Sequence, residues 1–197
     1  MTLECGIHGV PAGHLATVIT SLEMTAPAMR GPKPFPIGIV ANHEQLDLAA
    51  YRDLFRAVGG PWLWTSRLMM DDAALGRVIN DPLVETWVIR QNENAIGLIE
   101  FDFRTANECE LVLFGMITEA TGQGLGGPMI ALVQSHAFAR PVSRLFVHTC
   151  TYDAPTALPF YQKAGFTAYR TDVEVYPDPR VLGVLPKTIA PHVPCLP

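Results

Sequence analysis

Four glycines fall within six residues, at Gly122, Gly124, Gly126 and Gly127, between a run that reads as a strand and one that reads as a helix. No other feature restricts the fold of this chain so closely. A strand that turns directly into a helix leaves the first N–H groups of the helix unpaired. It also sets the positive end of the helix dipole at the turn. Glycine adds no Cβ, so an anion can approach the backbone closely. The plain alternative is a turn that is glycine-rich only to change direction. Four glycines at one strand-to-helix junction favour the anion site over that alternative.

Three designs bind anions this way. A phosphate-binding P-loop needs Lys and Ser or Thr after its last glycine, and here Pro128 and Met129 follow Gly127. A dinucleotide fingerprint G-x-G-x-x-G is formally met by Gly122, Gly124 and Gly127. That fingerprint belongs to the first turn of a parallel βαβ unit and needs an acidic residue about 20 positions on. Here antiparallel strands come first, and Asp153 stands late for that role. The third design is an antiparallel meander, a glycine turn, a helix, and then another strand and helix.

Hydrophobic periodicity supplies those elements. Residues 14–24 read as a strand with Val18, Thr20, Leu22 and Met24 on one face. Residues 25–38 hold Pro27, Pro32, Pro34 and Pro36 and read as irregular. Residues 45–59 carry Leu48, Tyr51, Leu54, Phe55 and Val58 at helical spacing, stopped by Gly59-Gly60-Pro61. Asp71 reads as the cap of a second short helix. Residues 84–91, 95–104 and 109–117 read as strands with short connections, which make them antiparallel. A helix over 124–139, a strand over 145–150, a helix over 154–164 and a strand over 166–175 follow. The tail from Tyr176 is rich in proline and is expected to lie extended on the surface.

Two segments of this pattern resemble the GCN5-related N-acetyltransferase (GNAT) family. Thr121-Gly122-Gln123-Gly124-Leu125-Gly126 matches the family's Arg/Gln-x-x-Gly-x-Gly/Ala signature at Gly124 and Gly126, with Thr121 in place of Arg or Gln. Ala157-Leu158-Pro159-Phe160-Tyr161-Gln162-Lys163-Ala164-Gly165-Phe166 is similar to its A-x-x-[LF]-Y-x-K-x-GF segment, with Ala154 where an Asn is usual. The resemblance spans about residues 84–175, with the strand at 14–24 as the family's first. It implies an α/β (α+β) acyl-CoA N-acyltransferase fold, with a mixed, mostly antiparallel sheet flanked by helices. The expectation is one domain over 1–197: a core of 14–24 and 45–175, a proline-rich insertion at 25–44 and a tail at 176–197.

The resemblance also implies a reaction: direct transfer of an acetyl group from acetyl-CoA to a primary amine, on a small molecule or a protein. That chemistry needs a deprotonated amine, a polarised thioester and an acid for the departing thiolate. Tyr161 is the expected acid. Glu110, eleven positions before Thr121, is the expected base, with Glu100 and Asp102 as runners-up. Met116 and Ile117 are expected to offer backbone groups to the pantetheine arm. Thr121, Gly122, Gln123, Gly124, Leu125, Gly126 and Gly127 are expected to hold the pyrophosphate. Trp62, Trp64 and Arg67, with Glu100, fall where the family builds its acceptor pocket. His148 reads as a core or lining histidine. Two rivals stay open: a coenzyme-binding module without turnover, suggested by Thr121 and Ala154, and a nucleotide-binding protein using the same turn.

Composition narrows the partners. Charged residues make up 17% of 197 and the net charge is −5, which argues against nucleic acid or an anionic membrane surface. Residues 105–139 hold no Lys or Arg, so the turn is expected to meet phosphate with backbone groups rather than side-chain charge. The N-terminus has no apolar secretory run, and no stretch approaches the roughly 18 apolar residues of a membrane span. The scattered Cys5, Cys109, Cys150 and Cys195 give no metal spacing and are expected as reduced thiols in a cytoplasmic protein. A greasy surface would favour a homodimer.

Overall fold

A computed structural model describes residues 3–27 and 33–196 of the chain. Pro32 and Pro197 of the two proline-rich segments, and the first two residues, lie outside the described residues. Seven strands form one sheet: β1 His14–Met24, β2 Ile39–His43, β3 Val84–Gln91, β4 Asn94–Asp102, β5 Glu108–Met116, β6 Arg144–Cys150 and β7 Thr167–Pro177. Their spatial order is β2-β3-β4-β5-β6-β1-β7, and every pairing is antiparallel except β5 with β6. Four helices flank the sheet: α1 Leu48–Gly59, α2 Asp72–Ile79, α3 Gly126–Phe138 and α4 Ala157–Lys163.

The central strands bury both faces, so successive residues enter different cores. Val88 and Leu98 pack with Tyr51, Phe55, Val58 and Leu75 of α1 and α2. Their neighbours Ile89 and Ile99 pack with Met129, Val133 and Tyr161 of α3 and α4. Helix α1 starts where Asp47 accepts a hydrogen bond from the Ala50 N–H at 2.8 Å, three residues later than the periodicity suggested. Asp71 caps α2 in the same way through the Ala74 N–H at 2.7 Å.

Three expectations are corrected. The segment 25–44 contains β2, an edge strand that pairs with β3 from Ile39↔Gln91 to His43↔Trp87. Only Ile39 of β2 is buried, so no two-residue alternation marked it. Strand β1 does not keep one apolar face: Val18 is exposed, while Leu15 and Thr17 face one layer and Leu22 and Met24 the other.

The tail does not lie extended on the surface. Leu185, Ala190 and Val193 build a third core with Leu15 and Leu63. Its keystone is Arg180, 1% exposed and paired with Asp178 at 2.7 Å. Arg180 Nη1 donates to the carbonyls of Ile189, Ala190 and Val193 at 3.3, 3.2 and 2.8 Å, and Nη2 to that of Pro194 at 3.2 Å. Proline carries no N–H, so a proline-rich segment has more carbonyl acceptors than backbone donors. One guanidinium, with five N–H groups, makes up that deficit.

All four cysteines are free. Burial pushes the Cys109 thiol up to about 12, which leaves it unreactive. Among the described residues no helix is long and apolar enough to cross a membrane.

Candidate functional site

The parallel pairing of β5 with β6 covers only Glu108–Glu110 against Arg144–Phe146. Beyond it the two strands stop pairing, and a cleft of about 230 Å³ occupies the wedge between them. Leu111, Val112 and Met116 line one side of the cleft, His148 and Thr149 the other, with Tyr161 of α4 as part of the wall. A bulge accompanies the separation. Glu100 pairs with Leu113 and Phe101 with Leu111, so Val112 is an extra residue without a partner on β4. Bulges bend a strand and free the backbone of the extra residue. Gly115 brings the opposite layer close, since a Cβ there would sit 2.6 Å from Val58 and 3.2 Å from Trp64.

The glycine turn closes one end of the cleft, through Thr121 and Gly126. Gly122 and Gly124 have φ of +80° and +78°, the left-handed region that glycine adopts without strain, and a Cβ at either would meet open space. The N–H groups of residues 122–127 have no hydrogen-bond partner among the described residues, and Leu125 gives α3 no side-chain cap. Six consecutive amides, running into a helix N-terminus, are therefore without partners in this turn. Two exposed side chains of the turn bond back to the chain just before it: Gln123 donates to the Glu119 carbonyl at 2.9 Å, and Thr121 donates to that of Thr118.

Two expectations about this end change. Ile117 does not offer free backbone groups: its N–H donates to the Ile96 carbonyl at 2.9 Å, and its own carbonyl accepts from Ala120 at 3.0 Å. The turn is also not without side-chain charge. Lys33, from the proline-rich segment, places its Nζ 3.5 Å from where a Cβ of Gly127 would stand.

The middle of the cleft is organised by Asp153. Its Oδ1 accepts from the Trp64 indole N–H at 2.8 Å, and its Oδ2 accepts from the Thr149 hydroxyl and the Cys150 N–H, both at 2.8 Å. Tyr161 is 6% exposed and sits among the rings of Phe114, Phe160 and Phe166. Burial, and then the charge of Asp153, push its phenol above the ordinary range, so it stays protonated at neutral pH. Its hydroxyl has no hydrogen-bond partner among the described residues, which leaves its proton available to a ligand in the cleft.

A second cavity, of about 350 Å³, adjoins the first and shares Trp62, Trp64, Val112, His148 and Asp153 with it. Arg67, Glu174 and Tyr176 contribute to the rest of its wall. Trp62 and Trp64 thus stand at the junction of the two cavities, in the region read as an acceptor pocket. Glu100 does not. It has no exposed surface and accepts hydrogen bonds from Tyr51 and Arg67, so it is corrected from acceptor contact to buried counter-ion. Arg67 lines the cavity with its charge balanced by Glu100 through Nη2, while its buried Nε has no partner among the described residues. Asp102 is paired with Arg104.

Glu110 lines neither cavity. It borders a third, with Asp102, Arg104, Thr105 and Phe146, and its Oε1 lies 3.6 Å from Nδ1 of His148. His148 is a lining residue rather than a core one, with its side chain 51% exposed and a place in both larger cavities. Sequence reasoning underweighted His148, and Asp153 was weighed only for a dinucleotide role. Neither has a local signal, because each acquires its neighbours across the sheet.

Comparisons with known proteins bear on this geometry. The family model described as the acetyltransferase (GNAT) family matches residues 48–166. No curated protein matches the sequence. Among solved structures, a GCN5-related N-acetyltransferase from Sphaerobacter thermophilus superposes with a TM-score of 0.62 at 16% identity, over 86% of this chain and 53% of that one. A putative GNAT-family acetyltransferase from Novosphingobium aromaticivorans gives 0.58 at 20% identity, over 86% and 69%. An aminoglycoside acetyltransferase from an uncultured soil metagenomic sample, solved with sisomicin, gives 0.57 at 16% identity, over 71% and 95%. The chain spans little more than half of the Sphaerobacter protein. At these identities the likeness is one of fold.

Proposed function

The chain belongs to the GNAT acetyltransferase family, and from that premise we propose that it moves an acetyl group from acetyl-CoA directly to a primary amine. The observation that carries this reading is the wedge between β5 and β6, which runs from a row of unpartnered amides at residues 122–127 to the protonated Tyr161. When bound, acetyl-CoA supplies an acetyl group activated as a thioester.

The residues present fit that group. The amides of Gly122–Gly127 and the N-terminus of α3 would hold the pyrophosphate, with Lys33 beside them. The bulged Val112 and Met116 present the strand edge along which the pantetheine arm would lie. Tyr161 keeps a proton in a water-poor wall, where a departing thiolate would take it.

The second cavity is the acceptor side. Its carboxylates, Asp153 and Glu174, together with the rings of Trp62, Trp64 and Tyr176, favour a cationic amine carried on a flat or aliphatic body. Arg67 adds no free positive charge, because Glu100 balances it. The four free thiols fit a reducing cytoplasm.

The test has two steps. Acetyl-CoA should raise the melting temperature while NAD and ATP should not; equal shifts from all three would leave a general nucleotide site. Thiol release is then followed with 2-phenylethylamine, spermidine, sisomicin and a short peptide as acceptors. Binding of acetyl-CoA with no amine-dependent thiol release would make the protein a coenzyme-binding module without turnover.

A further inference from the structure

Amine acetylation releases one proton for each acetyl group moved, because the acceptor arrives as an ammonium and leaves as a neutral amide. Glu110, the carboxylate expected to take that proton, does not reach the acceptor cavity. His148 does. Its ring lies in the wall shared by the coenzyme cleft and the acceptor cavity, half exposed, and Nδ1 points to Glu110 Oε1 at 3.6 Å. Glu110 in turn borders a separate cavity flanked by the exposed residues Arg104 and Thr105.

We propose that the acceptor's proton leaves through His148 and Glu110, with His148 Nε2 taking it from the ammonium and Glu110 passing it to the solvent of the third cavity. This rests on the acetyl-transfer reading of the cleft. Three features support it together. His148 belongs to both cavities that must meet for transfer, so it is placed where amine and thioester come together. Glu110 biases the ring, because a carboxylate charge 3.6 Å from Nδ1 favours a proton on that nitrogen and leaves Nε2 to accept. The strand register explains why the two meet: Glu110 pairs with Phe146 at the last rung of the β5–β6 ladder, and His148 lies two residues on, on the same face.

The proton balance closes. The ammonium N–H bond breaks, its electron pair stays on nitrogen as the nucleophile, and the proton goes to Nε2 of His148. The second N–H proton, lost as the amide forms, replaces the one Tyr161 gives to the departing sulfur. The imidazolium then passes its Nδ1 proton to the Glu110 carboxylate and on to solvent, and the half-exposed ring regains its starting tautomer by giving its Nε2 proton to water while Nδ1 takes one back, so one proton leaves per turnover and no oxidant or further reactant is needed.

The titratable and charged groups paired with His148 or sharing its cavities are Glu110 from β5, Cys150 from β6, Asp153 from the β6–α4 loop, Tyr161 from α4, Glu174 and Tyr176 from β7, and Arg67 from the α1–α2 connection. Glu110 above all, then Asp153 and Glu174, hold the imidazole above its ordinary range against the opposing effect of burial. A base of that kind is matched to neutral pH.

The experiment combines imidazole NMR titration with kinetics, and its first part needs no acceptor. In the wild-type protein the His148 ring should titrate above the ordinary histidine value, and Glu110→Gln should lower its midpoint. Saturation with CoA should move the His148 signals while leaving those of His8 and His192 in place. With an amine that turns over, kcat/KM should rise with pH through the His148 midpoint. His148→Gln should then lose roughly 100-fold and the pH limb with it. Glu110→Gln should move the limb to lower pH and lower its plateau. A purely structural role would lower the rate without moving the limb. If CoA shifts no resonance and no melting temperature, the acetyl-transfer reading has failed. If CoA binds but His148 neither shifts nor responds to Glu110→Gln, the relay alone is overturned; a wild-type rate in His148→Gln does the same.

Discussion

The glycine turn and the proline-rich tail treat unpaired backbone in opposite ways. At residues 122–127 a run of N–H donors stands open at the head of α3, with no internal partner among the described residues. At residues 189–194 a run of carbonyl acceptors is consumed inside the molecule by Arg180, which is 1% exposed. The difference separates function from structure. Buried orphan groups cost about 1–3 kcal/mol each, so the tail must satisfy its carbonyls. Open amides remain hydrated at little cost and are free to exchange water for an anion.

The largest expected effect comes from breaking the closed region. Arg180→Met should cost about 3–5 kcal/mol in urea unfolding, because it strands the Asp178 charge and four carbonyls in the third core. It should leave CoA affinity nearly unchanged in the folded fraction; a parallel loss of affinity would show that the tail shapes the cleft. In the open region the same scale of loss should fall on binding. Gly124→Val adds a side chain where the cradle is open and φ is +78°, and should weaken CoA roughly 1000-fold by calorimetry. Normal binding would put the cradle elsewhere. Between the two, Tyr161→Phe should lower kcat about 100-fold with little change in CoA affinity or stability, since its hydroxyl makes no bond within the described protein.

Much of this contrast was legible in the chain. Gly122 and Gly124 mark the open turn because no other residue takes positive φ there so easily. The meander, the helices and Tyr161 follow from periodicity and motif. The tail was misread for a physical reason: its many prolines signal the absence of regular hydrogen bonding, and that was equated with exposure. Arg180 is invisible to such reasoning, since a lone arginine two residues from an aspartate usually marks a solvated pair. Glu110 and His148 show the same limit, being 38 positions apart in sequence and neighbours only through the β5–β6 rung.

Acid should distinguish the two regions further. Burial alone would raise the Asp178 carboxyl, but the hydrogen bonds and charge of Arg180 prevail and hold it below the ordinary aspartate value. The stability it contributes is therefore complete above the unfolded pKa of about 4 and is lost as pH falls through its lower folded value. Tail protection in hydrogen exchange should fade in that acid window, and Asp178→Asn should remove the pH dependence. The smallest effect belongs to Lys33, an exposed cation beside the open turn. Lys33→Ala should weaken CoA by about 3-fold at low salt and less at high salt, as for a screened surface charge.

By itself the sequence determined the order of the elements other than β2, the anion-facing turn and the family, because each of these is written in neighbouring residues through period, glycine and cap. The tertiary structure alone decided which side chains the turn serves and which it does not. It wedged β5 from β6 around Tyr161, buried Glu100 against Arg67, drew Lys33 to the head of α3 and set His148 before Glu110. Those contacts join residues far apart in the chain, and only the packing and register of the folded sheet bring them within reach of one another.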